Sequence, residues 1–151
     1  MKNVIISFFL VILLAAMPAY ATNDDGILGV WYNSEKDAKI EIFKCDNKYC
    51  GKIVWLKVPN YTEDSKDGVP GTPKLDHNNP DPSLKSKPIL GLEIVHDFVY
   101  IGDSTWVGGK VYDPKNGKTY SGKMTLIMPN QLDLRGFIGI SLFGRTTTWT
   151  R

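Results

Sequence analysis

Between Lys110 and Met128 apolar and polar positions alternate on either side of a turn signal, K-V-Y-D-P-K-N-G-K-T-Y-S-G-K-M-T-L-I-M. Tyr120, Gly122, Met124, Leu126 and Met128 share one face, and Thr119, Ser121, Lys123 and Thr125 the other, as in a half-buried antiparallel strand. Pro114 presets a type I turn, and Asn116-Gly117 supplies residues tolerant of positive φ, so the stretch predicts a hairpin. The same period of two predicts further strands over Leu28–Asn33, Ala38–Cys45, Cys50–Lys57, Ile89–Tyr100, Leu132–Ile138 and Arg145–Arg151. On Ile89–Tyr100 the pattern sets Leu92, Ile94, His96 and Phe98 on one face. Eight strands joined mostly in sequence predict an all-β fold, an eight-stranded antiparallel up-and-down barrel, because closure removes exposed edges.

Two stretches depart from the alternation. Ile53, Val54, Trp55 and Leu56 put apolar groups on both faces, so this strand is expected to be covered on both sides, by a loop or a second subunit. From Val58 to Pro88 there is no strand pattern, only Pro, Asp, Asn, Lys and Gly-rich sequence. So long a connection before strand four suggests a lid or binding loop, or a partly disordered segment. Within it Asp81-Pro82-Ser83-Leu84 predicts an N-cap and a short helical turn. Asp76, Asn78, Asn79 and Asp81 read as turn and cap residues: Pro80 breaks the alternating ligand spacing, and the glycine and closing glutamate of an EF-hand loop are lacking. No metal or cofactor is expected.

At the N-terminus, Lys2, the apolar run Val4–Ala16 and Ala19-Tyr20-Ala21 predict a signal peptide over residues 1–21, cleaved to leave a 22–151 barrel domain. The run is short of the about 20 residues of a membrane span, and the first cysteine, Cys45, lies far from the cleavage site, so neither a membrane span nor a lipid-modified cysteine is expected as an anchor. The chain has 151 residues and a net charge of +2, which falls to +1 without Lys2. With no basic run interleaved with aromatics, nucleic acid and anionic membranes are poor candidate partners. Cys45 and Cys50 flank Asp46-Asn47-Lys48-Tyr49, which reads as a four-residue hairpin loop closed by a disulfide in an oxidising compartment. So short a closed loop stabilises by about 2 kcal/mol. The expected location is the periplasm or the medium.

In a closed barrel the first and last strands pair antiparallel, which brings Trp31 of Gly29-Val30-Trp31 toward Arg151. A guanidinium there can stack on the indole and donate to carbonyls, with Arg145 as the second choice. This pattern resembles the lipocalin and calycin superfamily. A longer resemblance rests on G-V-W, C-G-K-I-V-W-L, L-D-H-N-N-P-D, K-V-Y-D-P-K-N-G-K-T-Y-S-G-K and L-R-G-F-I-G-I-S-L-F-G-R-T-T-T-W-T-R. These blocks are similar to the bacterial exported proteins grouped as domain-of-unknown-function family 2147. The resemblance implies an exported lipocalin-like barrel and carries no established activity.

The leading functional expectation is an exported protein that binds a small lipophilic molecule in an apolar cavity. Barrels of eight strands either fill with side chains or hold one small ligand. Ile40, Ile42, Trp55, Tyr120, Met124, Leu132 and Leu134 are the candidate lining, although each also serves as plain core. Phe143, in the apolar loop Gly139–Gly144, is placed with the long loop at the mouth. The alternative is an interaction module with a filled barrel, a homodimer or partner complex through Ile53–Leu56. An enzyme is not expected. There is no Gly-x-Ser-x-Gly, and His96 and Asp97, as consecutive strand residues, point to opposite faces.

Overall fold

The computed structural model describes residues 24–151, so the predicted signal peptide lies outside the described residues. The strands are β1 (Gly29–Tyr32), β2 (Ala38–Cys45), β3 (Lys48–Leu56), β4 (Glu93–Gly102), β5 (Thr105–Asp113), β6 (Lys118–Met128), β7 (Gln131–Phe137) and β8 (Arg145–Thr150). Each pairs antiparallel with the next, and β8 returns to β1, which closes the predicted lipocalin-like barrel. The β1–β8 seam is short, with Tyr32 opposite Thr150.

Trp31 and Arg151 hold that seam as expected. The Arg151 guanidinium lies 4.1 Å from the Trp31 ring centroid. It donates to the carbonyls of Pro129 (2.8 Å), Leu28 (2.8 Å) and Gly26 (3.0 Å). Trp31 donates from Nε1 to Ile27 O at 2.8 Å, binding in the 3₁₀ turn Asp24–Ile27 that closes this end of the barrel. Gly29 takes a φ of 108°, which a side chain rarely adopts. Arg145 starts β8 at the opposite, open end.

The closed end is packed solid with Trp31, Ile42, Phe98, Trp106, Met124 and Leu132, all buried. Phe98 lies flat on Gly109 and Gly122, which face each other across β5 and β6. A Cβ at either would sit 2.1 or 2.3 Å from the ring, so the two glycines are the recess that admits it. Trp106 contacts the rings of Tyr49 and Tyr100, but its Nε1 has no hydrogen-bond partner among the described residues.

Bulges account for most departures from the sequence pattern. Lys39 faces Trp55 and Ile40 faces Ile53, which makes Val54 an extra residue in β3. The run of apolar residues there marks a bulge and not a strand covered on both faces: Val54 and Trp55 are each 37% exposed. In β4, Asp97 has a φ of 62°, and the twist turns Val95 and Phe98 inward together. His96 consequently does not share a face with Phe98; it bonds Glu93 through Nδ1 on the exterior at 2.9 Å. Ile89 and Leu92 precede β4 in a turn in which Leu92 N bonds Ile89 O. The register also shifts between Leu126 and Met128, which leaves Met128 exposed.

The two predicted hairpins form with different turns. Cys45 pairs with Lys48, so the turn is only Asp46-Asn47, with a φ of 53° at Asp46. The Cys45–Cys50 disulfide therefore joins diagonal positions, with a Cα separation of 5.8 Å, because Cys50 faces Phe43. Between β5 and β6 only Gly117 takes a positive φ, while the Asn116 amide bonds Asp113 and Tyr120.

Candidate functional site

Only half of the barrel is filled. From the open end a cavity of about 870 Å³ descends between the strands. That is within the range of about 300–1,000 Å³ usual for small-molecule sites. Its deeper walls are apolar and come from Ile40, Ile53, Ile94, Val111 and Leu134, with Trp149 beside them. Leu132 faces Trp149 across the β7–β8 pair but belongs to the packed half.

Of the residues proposed from sequence, Ile40, Tyr120 and Leu134 stand in the cavity wall. Ile42, Met124 and Leu132 point inward too but lie in the packed end, below the cavity. Alternation identifies the inward face and is blind to depth along the axis, which is why it grouped the six together. Trp55 is outside the barrel. Its ring meets Tyr32 edge-on at 6.0 Å, and Lys39 Nζ sits over both rings, 4.6 Å from Tyr32 and 5.4 Å from Trp55. Phe143 is 80% exposed and takes no part in the wall. Ile53, Ile94, Val111 and Tyr112 were missed as lining, and the bulges in β3 and β4 hid the first two. Val111 and Tyr112 are neighbours on β5 and so face opposite ways, yet both border the cavity because the long loop closes around the end of that strand.

That loop, residues 57–92, forms one side of the mouth. Bridges Asn60–Pro73 and Leu75–Pro88 brace it internally. Tyr61 is buried inside it, stacks on His77 with centroids 6.1 Å apart, and accepts from Leu75 N at 3.1 Å. Asp81 caps the 3₁₀ turn Pro82–Leu84 through Ser83 N, as the sequence predicts. Asp76 is 0% exposed and accepts from the Tyr112 hydroxyl and the Asn79 amide, each at 2.7 Å. Burial and the bonded carboxylate raise the Tyr112 pKa, so its hydroxyl stays a donor. The Asn78 amide donates to the carbonyls of Pro114 (3.0 Å) and Lys115 (3.1 Å). These residues moor the loop to the β5–β6 hairpin, and the mooring was legible from sequence only as generic turn chemistry.

Across the mouth, Lys115 Nζ bridges Glu35 and Asp37, the latter at 2.9 Å. Burial alone would raise the Asp37 pKa, but the Asn33 amide and the Lys115 ammonium outweigh it and hold the carboxyl below its usual value. Burial would likewise lower Lys115, and its two carboxylates reverse that. The site is therefore apolar inside with a charged rim. Among the described residues no cluster of His, Cys, Asp and Glu is placed to hold a metal, and no helix is long and apolar enough to cross a membrane.

Comparison with known proteins agrees with this architecture. The solved structure of protein HP1028 from the human pathogen Helicobacter pylori, described as belonging to the lipocalin family, superposes with a TM-score of 0.66. The two are 22% identical over 82% of this chain and 81% of that one, a likeness of fold. No curated protein sequence matches the chain. The family model described as "Uncharacterized protein conserved in bacteria (DUF2147)" matches residues 29–151, which span the whole barrel from β1 to Arg151, and the chain belongs to that family.

Proposed function

We propose that this barrel is exported and binds a small lipophilic molecule in its open cavity, without catalysis. The observation that carries the reading is the division of the barrel into a packed half and an open half whose deep walls are aliphatic. An apolar cavity of this size gains free energy when a lipophile replaces its water. The Cys45–Cys50 bridge supports an oxidising compartment, and a bacterial family makes the periplasm the natural one. His96 is bonded to Glu93 on the exterior, and His77, although it borders the cavity, is stacked on Tyr61.

Native mass spectrometry of protein purified from a bacterial periplasm, followed by organic extraction, tests the reading. The expected result is a reproducible adduct that is lost on denaturation. A bare apo mass together with no uptake of an apolar fluorescent probe would sink it. Leu134→Trp fills the cavity from its wall, and probe affinity should fall by about tenfold or more while the barrel stays folded. Self-association through the β3 exterior has less behind it, since Tyr32 and Lys39 already cover part of Trp55. A single monomeric species by sedimentation at high concentration is the expected result.

A further inference from the structure

The loop between β7 and β8 projects apolar side chains into water at the rim of the cavity. Ile138 is 68% exposed, Ile140 61%, Leu142 78% and Phe143 80%. Aliphatic and aromatic residues grouped in this way mark an interaction surface more often than isolated exposed residues do. The projection is also held in place. Arg135 donates from Nε (2.9 Å) and Nη2 (2.7 Å) to Ser141 O, from Nη2 to Leu142 O (3.2 Å), and from Nη1 to Thr146 Oγ1 (3.1 Å). Gly144 N closes the 3₁₀ turn Ser141–Phe143 onto Ser141 O at 3.1 Å. A guanidinium thus satisfies the carbonyls at the loop tip and leaves its side chains pointing outward.

Charge indicates what the loop meets. Residues 134–151 contain Arg135, Arg145 and Arg151 and no Asp or Glu. Arg135 and Arg151 are bound to carbonyls, whereas Arg145, at the foot of the loop and on the cavity rim, makes no ion pair among the described residues. Of the rim's four acids, Glu35 and Asp37 are held by Lys115 and Asp113 accepts hydrogen bonds within its own turn, while Asp67 shares the long loop with Lys57 and Lys74. We propose that residues 138–145 dock the open end of the barrel on an anionic lipid surface, with Leu142 and Phe143 entering the acyl region and Arg145 meeting a headgroup phosphate. The near-zero net charge of the chain argues against a general attraction to membranes, but it is a sum over the molecule and does not describe this sector. In this orientation the cavity mouth opens beside the bilayer, and a lipophile passes between the two with little exposure to water.

Co-sedimentation of the periplasmically processed protein with vesicles tests the docking. Vesicles of phosphatidylethanolamine with about one third phosphatidylglycerol should bind it, and vesicles of phosphatidylcholine alone should bind it clearly less. The double substitution Leu142→Asp and Phe143→Asp should lower the partition coefficient by about tenfold or more, and Arg145→Gln by about fivefold on the anionic vesicles. In the absence of vesicles the double variant should take up an apolar probe as the parent does, so failure of the cavity reading and failure of the docking are told apart. No binding to the anionic vesicles, or binding that survives the double substitution, overturns the proposal. So does a dimer of the parent that the double variant abolishes, which would assign the loop to a second copy of the chain.

Discussion

Two buried tryptophans at the closed end differ in one hydrogen bond, and their substitution should separate accordingly. Trp31 has its Nε1 bonded to Ile27 O and its ring under Arg151, whereas Trp106 has a buried Nε1 without a partner among the described residues. Trp31→Phe strands a carbonyl and loosens the cation contact, at a cost of about 2–3 kcal/mol. Trp106→Phe loses packing volume but also removes an unsatisfied donor, so its cost should be about 1 kcal/mol or less. Urea denaturation midpoints of the two variants check the order. The pairing of Trp31 with Arg151 was readable because antiparallel closure fixes which strand ends meet. The orphaned donor of Trp106 was not, since satisfaction of an indole depends on which carbonyls happen to surround it.

At the scale of elements the long loop is fastened to the β5–β6 hairpin by Asp76 and Asn78. Asp76→Ala would leave the Tyr112 hydroxyl and the Asn79 amide buried without an acceptor. Limited proteolysis within residues 57–92 should then accelerate while the barrel core keeps its hydrogen-exchange protection; unchanged cleavage would mean that Asp76 does not hold the loop. The ion cluster of Glu35, Asp37 and Lys115 ties the same hairpin to the turn between β1 and β2. The Asp37 pKa is depressed in the folded state, so its contribution is fully present above the unfolded value of about 3.8 and is lost as pH falls through the lower folded value. Lys115→Met should weaken that acid-side loss, which the difference in denaturation midpoint between about pH 6 and about pH 3 will register. Alternation in β6 and β7 reads well from sequence because their cores are regular. It fails in β3 and β4, where Val54 and Asp97 each add half a period, and no local feature announces a bulge.

For the molecule as a whole, the barrel follows from eight period-two segments joined mostly in sequence, and its lipocalin-like resemblance from Gly29-Val30-Trp31 and the closing arginine, whereas the depth of the cavity does not. Ile40 and Ile42 are two positions apart on one strand and chemically identical, yet one borders open space and the other is core. What separates them is the cluster of large rings at one end, Phe98 set into its glycine recess and Trp106 beside Met124, which fills that half alone. Composition records how many such rings there are and not where they gather.

The seam held by Arg151 has a consequence for how the chain reaches this state. Seven strand pairings join neighbours in sequence, but the bonds from Arg151 to Leu28 and Gly26 span 123 and 125 residues. Loop-closure entropy sets that contact last, so the folding transition state should contain a curled sheet with β1 and β8 still apart. Arg151→Ala should therefore speed unfolding while leaving the refolding rate nearly unchanged, in stopped-flow chevrons. A chain threaded N-terminus first cannot shut its barrel before residue 151 emerges. Under the export proposed above, it would stay an unlatched ribbon throughout its passage, the condition in which a translocating polypeptide is easiest to move.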